Sequence, residues 1–143
     1  MNTHSDDPYA LHRFVDAQDP VYERVCSELQ LGHKTSHWIW FIFPQIEGLG
    51  SSSASEKFAI SSLEEAAAYL RHPTLGPRLL QCTDLVINVS GRTIQQILGP
   101  PDDMKFRSSM TLFTHATPKN KVFEDALQKY FAGQHDHLTL ERL

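Results

Sequence analysis

Apolar residues along this chain recur mostly at the spacing of a helix. Leu11, Phe14 and Val15 stand at i, i+3 and i+4, and Val21, Val25 and Leu29 at i, i+4 and i+8. Each set follows an Asp-Pro pair, Asp7-Pro8 and Asp19-Pro20. An acidic N-cap followed by proline at the first helical position marks a helix start. The spacing therefore predicts two short amphipathic helices, the second stopped at Gly32. Ser62-Leu-Glu-Glu65 reads as a capping box, with Glu65 reaching back to the Ser62 amide. Leu63, Ala66, Ala67 and Leu70 continue it as one stripe, which Pro73 ends.

Leu75, Leu79, Cys82, Val86 and Val89 recur at three and four, which predicts a longer helix with a buried seam. Ile94, Ile97 and Leu98 predict a short one, stopped by Gly99-Pro100-Pro101. Phe106, Met110 and Phe113 share one face of the next, which Pro118 bounds. Asn120 can cap a helix carrying Phe123, Ala126, Leu127, Tyr130 and Phe131, with Gly133 as its stop, and Asp136 can open a last turn. The sum is an all-α fold of seven or eight short helices in a single domain over residues 1–143, with about residues 1–7 disordered. Trp38–Phe43 is an unbroken apolar run that by propensity suits a buried strand. It has no second strand to pair with, so the sequence leaves it a buried helix or an extended core segment. Gly48–Ser55, dominated by Gly, Ser and Ala, is the expected flexible stretch.

Composition narrows the class. The 143 residues suit one domain, because two cores would each be small. Hydrophobic residues make up 41%, too many for a disordered chain. The longest apolar run falls far short of the roughly 20 residues that span a bilayer. The acidic start Met1–Asp7 resembles neither a signal nor a transit peptide. Cys26 and Cys82 are distant in sequence and form no CxxC, so two half-buried thiols in a reducing cytoplasm are expected.

Net charge is -4, and no basic block occurs. Duplex nucleic acid and anionic membranes both call for clustered Lys and Arg, so neither is an expected partner. No P-loop, GxGxxG, GxSxG, HExxH, DxDxDG or catalytic-cysteine signature is present, and no cofactor is expected. His135-Asp-His137 lacks a third ligand, so no metal is expected either.

Two regions carry more polar chemistry than a core needs. His37-Trp-Ile-Trp-Phe-Ile-Phe-Pro-Gln45 holds both tryptophans and runs into Gly48-Leu-Gly-Ser51. Aromatics there can simply fill a core, and glycines can make a turn. The functional alternative is an aromatic wall, Trp38 or Trp40 stacking a flat ring, beside free backbone amides at Gly48, Gly50 and Ser51 that hold an anion. Lys34 and Gln45 flank it, and His37 is the acid–base candidate, its orienting carboxylate unidentified.

The second region is Asp102-Asp-Met-Lys-Phe-Arg-Ser-Ser-Met-Thr111. It reads either as a solvated helix face with an Asp103–Arg107 pair, or as a helix start supplying Lys105, Ser108 and Ser109 to a sugar or anion.

These residues carry a resemblance. Arg13-Phe-Val-Asp-Ala-Gln18, Lys34-Thr-Ser-His-Trp-Ile-Trp-Phe-Ile-Phe-Pro-Gln45, Gly48-Leu-Gly-Ser51 and Lys105-Phe-Arg-Ser-Ser-Met-Thr-Leu-Phe113 resemble the bacterial family known as domain of unknown function 1810. The resemblance implies a mainly helical domain without an established activity, and it favours helix for Trp38–Phe43. Some members carry the label calpastatin. That inhibitor resembles a disordered, repeat-bearing chain, which this composition does not match. The overall shape is also similar to the helical NADAR proteins, which act on N-glycosidic bonds of ribosides. No motif residue aligns, so that likeness implies only a nucleotide-like ligand.

Two functions follow as expectations. The first is an enzyme on a nucleotide- or ADP-ribose-like molecule, cleaving an N-glycosidic bond, with catalytic His37 and Lys105 and a small anionic ligand. The second is a non-catalytic binding or interaction module. A concave pocket into which Lys105, His37 and Gln45 all point would favour the first.

Overall fold

The structure, a computed structural model, describes residues 7–143. Ten helices occur among them: α1 His12–Gln18, α2 Tyr22–Gln30, α3 Ile39–Ile42, α4 Ser53–Lys57, α5 Leu63–Arg71, α6 Leu75–Ile87, α7 Ile94–Leu98, α8 Asp102–Ala116, α9 Val122–Phe131 and α10 His137–Leu140. The all-α expectation holds, and the count exceeds the expected seven or eight by short turns. Trp38–Phe43 contributes α3, a single helical turn. The last three residues of the stretch expected to be flexible, 53–55, open α4, capped by the Ser52 hydroxyl on the Ser55 amide. The one strand-like feature among the described residues is a parallel bridge between Ile46 and Ile60. The disorder expected of residues 1–7 lies, apart from Asp7, outside the described residues, and Asp7 itself is held in place.

The Asp-Pro signals work differently from each other. Asp7 accepts from the Leu11 and His12 amides at 2.8 and 2.9 Å, so it caps α1 from four residues upstream. The chain between them turns back through Ala10, at φ 53. Asp19 caps nothing. It pairs with Arg78 of α6 at 2.9 Å, and α2 starts behind it without a side-chain cap. The Ser62 hydroxyl receives the Glu65 amide as expected, but Glu65 reaches back to Ser61 rather than Ser62. Its other oxygen holds Arg13 at 2.9 Å.

Helix α8 is the centre. It lies against α5, α7, α9, α10 and α3, so it is enclosed around most of its circumference. Phe106, Met110, Leu112 and Phe113 are buried on it, and so are Ser108, Ser109 and Thr111. Rings continue the core outward, Phe113 to Tyr69 at 5.4 Å and Tyr69 to Phe14 at 5.1 Å edge-on. The seam on α6 is buried as the spacing predicts, at Leu75, Leu79, Cys82 and Val86.

Two residues of the recognised blocks turn out to be ties between elements. Arg13 donates to the carbonyls of Tyr9, Ala10, Lys57 and Ala59 as well as to Glu65. The buried Gln18 amide donates to the Phe41 carbonyl and to the Tyr69 hydroxyl. Both satisfy backbone that irregular segments leave exposed in the interior.

Candidate functional site

Residues 33–38 are an irregular segment between α2 and α3, and one carboxylate organises it. Glu28, in the last turn of α2, is 6% exposed. Its Oε1 accepts from the Thr35 amide at 2.8 Å, the Ser36 amide at 3.0 Å and Trp38 Nε1 at 3.0 Å, and its Oε2 from the Ser36 hydroxyl at 2.6 Å. Burial alone would raise this carboxyl; the bonds from Ser36, Thr35 and Trp38 overcome it and hold the group at about 2. The Lys34 amide is pinned separately, to the Ile97 carbonyl at 2.7 Å.

The segment faces the start of α8 across a cavity of about 370 Å³, lined by Lys34–His37, Trp40, Pro100–Asp102 and Lys105. That is near the lower limit for small-molecule pockets. Lys34 is largely buried and places its Nζ 2.8 Å from Asp102 Oδ2, while Lys105 Nζ stands 3.8 Å from Oδ1 of the same carboxylate. Two ammonium groups thus flank one carboxylate, which leaves a net positive charge among these three. Lys105 Nζ also lies 5.3 Å from the centre of the Trp40 ring. The Trp40 indole nitrogen is buried and makes no hydrogen bond, a state that costs roughly 1–3 kcal/mol unless an acceptor reaches it. His37 is exposed at the rim.

Four expected residues, Lys34, His37, Trp40 and Lys105, therefore meet at one cavity. The others lie elsewhere. Trp38 is 1% exposed, its ring against Phe43 and its N–H on Glu28, so it presents no face to a ligand. Gln45 does not line the cavity; its carbonyl accepts from the Ile60 amide. Gly48, Gly50 and Ser51 are exposed and also outside it, with the Arg142 guanidinium lying against Gly48. Ser108 donates to the Met104 carbonyl and to Asp136, toward α10, and Ser109 is fully buried with its hydroxyl unpartnered. Lys105 leaves the helix on the pocket side and the two serines do not, because α8 is enclosed where they stand.

Asp103 and Arg107 do not pair. Asp103 is buried, and Arg107 donates to the carbonyls of Gln134 and His135. His135 and His137 have separate partners, Glu124 and Glu141. Among the described residues, no group of three or more His, Cys, Asp or Glu is arranged to hold a metal ion, and no helix is long and apolar enough to cross a membrane.

Sequence reasoning missed Glu28 and Asp102 as parts of this site. Asp102 was legible as an acidic residue three before Lys105. Glu28 gave no signal, because its partners lie seven to ten residues away across a turn. Larger concavities exist. One of about 590 Å³ adjoins Asp7 and His12, but Asp7 there is occupied in capping α1. One of about 490 Å³ is an apolar groove over Leu70, Leu80 and Phe123. Neither sets two lysine ammonium groups around one carboxylate, as the smaller cavity does.

Comparison with known proteins places the chain. Among curated proteins none matches it. The crystal structure of the conserved hypothetical protein Rv1873 from Mycobacterium tuberculosis is similar at 55% identity, covering 95% of this chain and 97% of that one, with a TM-score of 0.94. The model of the family described as protein of unknown function DUF1810 matches residues 8–143, and by that match the chain belongs to the DUF1810 family.

Proposed function

We propose that the cavity between residues 34–40 and the start of α8 binds a small anionic, ring-bearing molecule of the nucleotide or ADP-ribose kind. In this reading the protein is a cytoplasmic bacterial enzyme, a single domain, that cleaves an N-glycosidic bond. The observation that carries it is the convergence of Lys34, Lys105, His37 and the Trp40 ring on one concavity. Lys34 and Lys105 hold the anionic group, and Trp40 lies against the ring. His37 gives a proton to the departing base as the C1′–N bond breaks and its electron pair leaves with the base. Asp102 faces the positive charge that develops on the ribosyl carbon, and water adds its hydroxyl there in place of the base and returns its remaining proton to His37.

A second reading, a non-catalytic docking module, is favoured by the apolar groove over Leu70, Leu80 and Phe123 with Arg71 and Lys119 at its edge. One experiment separates the two. A thermal-shift panel of nucleotides and ADP-ribose should reveal a ligand, because saturation at a hundred times the dissociation constant adds about 2.7 kcal/mol. Titration calorimetry then compares the wild type with Lys105→Ala. The substitution should leave stability within about 0.5 kcal/mol and weaken affinity by about 1.5–3 kcal/mol. Equal affinities, or a panel without a hit, would eliminate the anion role and leave the docking module.

A further inference from the structure

The groove over Leu70 and Leu80 differs from the other concavities in its charge. It lies where the ends of α5 and α8 meet α6 and the start of α9, with a volume of about 490 Å³. Its walls are apolar: Leu70 of α5, Leu80 of α6, Ala116 at the end of α8 and Pro118 beyond it, with Phe123 buried beneath. Its polar lining consists of donors, apart from Thr117, whose hydroxyl can also accept. Arg71 closes α5 and Lys119 stands in the loop before α9, both exposed. Among the described residues, neither forms an ion pair or a hydrogen bond. Asn120 accepts from the Val122 amide through Oδ1 at 3.0 Å, so the other end of its amide is an NH₂.

No carboxylate lines this groove, although 17 of the 143 residues are Asp or Glu. The other two concavities both include carboxylates, Asp7 and Asp16 in the larger and Asp102 in the smaller. Two cations and an amide NH₂ around an apolar floor are complementary to a negative head on an apolar body. The arginine fork can hold a carboxylate through two parallel N–H bonds. Size points the same way. Small-molecule sites occupy about 300–1,000 Å³. A protein interface engages roughly 20–30 residues a side, whereas ten line this groove. A docked protein would have to reach well beyond it.

We infer that this groove binds a monocarboxylate with an apolar body, of the medium-chain fatty-acid class. The carboxylate takes Arg71 and Lys119, with the Asn120 NH₂ as a further donor, and the chain lies over Leu70, Leu80 and Ala116. Binding is non-covalent. The cavity around Lys34 and Lys105 shares no lining residue with the groove, so the inference does not depend on the nucleotide reading. Lys119 is the more telling of the two cations, because Arg71 also lines the concavity beside Asp7 and His12.

The test is calorimetric titration of the full chain with sodium decanoate below its micellar concentration, beside decanol and hexanoate. One decanoate per chain is expected, with decanol at least about tenfold weaker for want of the charge. Hexanoate, four methylenes shorter, should also bind at least about tenfold more weakly, since each buried methylene is worth roughly fourfold. In NMR the methyl signals of Leu70, Leu80 and Ala116 should move while the Trp40 indole signal does not. Arg71→Gln and Lys119→Gln should each weaken decanoate about tenfold or more. Both positions are exposed, so the fold is retained. Lys121→Gln, outside the groove, should change nothing. Absence of decanoate binding would overturn the inference, as would unchanged affinity in Lys119→Gln, equal affinity for decanol, or movement of the Trp40 signal in place of the three methyls. A synthetic Glu/Leu amphipathic peptide that binds where decanoate does not would give the groove to a docked partner. Sedimentation showing a dimer that Lys119→Glu disperses would give it to a second copy of the chain. Either result overturns the inference.

Discussion

Glu28→Gln isolates the charge that holds residues 34–38 in place. The carboxylate receives four hydrogen bonds, three of them at Oε1. Its acidity moves from an ordinary 4.5 to about 2 despite burial, which works in the opposite direction. At about 1.4 kcal/mol per tenfold change in proton affinity, that gap corresponds to about 3 kcal/mol of stability at neutral pH. Because the folded value lies below the unfolded one, the contribution is fully present above 4.5. It is lost progressively as pH falls toward about 2.

Glutamine keeps the side-chain shape and can still accept from Thr35, Ser36 and Trp38 through its oxygen. It forfeits the charge and turns an NH₂ toward Ser36. The substitution should therefore cost about 1–2 kcal/mol at pH 7, the difference between charged and neutral bonds, rather than the full amount. Urea unfolding of both proteins at pH 7, 5, 4 and 3 measures it. The stability gap should narrow steadily below pH 5, because the unfolded wild-type carboxylate takes up a proton there while the folded one stays ionised. Equal stability at pH 7, or a gap that stays constant down to pH 3, would refute the argument. Ligand affinity at the cavity should fall in the same variant, since Lys34 and His37 ride on the segment that Glu28 orders.

Trp38→Ala should cost about 3–5 kcal/mol by calorimetry, because the ring is core and its N–H satisfies Glu28. An unchanged melting temperature would contradict that placement. Gly76→Ala, normally favourable inside a helix, should instead destabilise by about 1–3 kcal/mol. Its new Cβ would stand 2.1 Å from the Leu70 carbonyl oxygen where α5 turns into α6, and a neutral or stabilising outcome in denaturant titration would be inconsistent with this close approach. Burial, reinforced by nearby Cys26, pushes the Cys82 thiol up to about 12. Mass spectrometry after iodoacetamide treatment at pH 8 should find Cys82 unmodified in the folded chain and alkylated once it is unfolded; rapid native alkylation would show the thiol to be accessible.

Local chemistry was legible in the sequence wherever it acts within one turn. The stripe from Leu75 to Val86, the Ser62 hydroxyl on Glu65, the Asp136 cap and the stop at Gly32 all follow from residues three or four apart, and Asn120 accepts from the Val122 amide two residues on. Such contacts depend on helix periodicity alone, which the chain carries without help from its neighbours. Lys34, His37, Trp40 and Lys105 could be named as unusual for the same reason.

Only the tertiary structure decided which of these side chains meet. Helix α8 shows only a weak amphipathic pattern because it is enclosed by five others, so Ser108 and Ser109 read as a polar face and are interior. Trp38, just before the single turn α3, and Trp40, on it, stand two residues apart, yet one fills the core while the other lines the cavity. The partners of Glu28, the pairing of Lys34 with Asp102, and the meeting of His115 with His135 and Glu124 all cross between elements. Periodicity sets which face of a helix is apolar. Which helix covers that face, and which buried charge then needs a partner, depends on how the whole core closes.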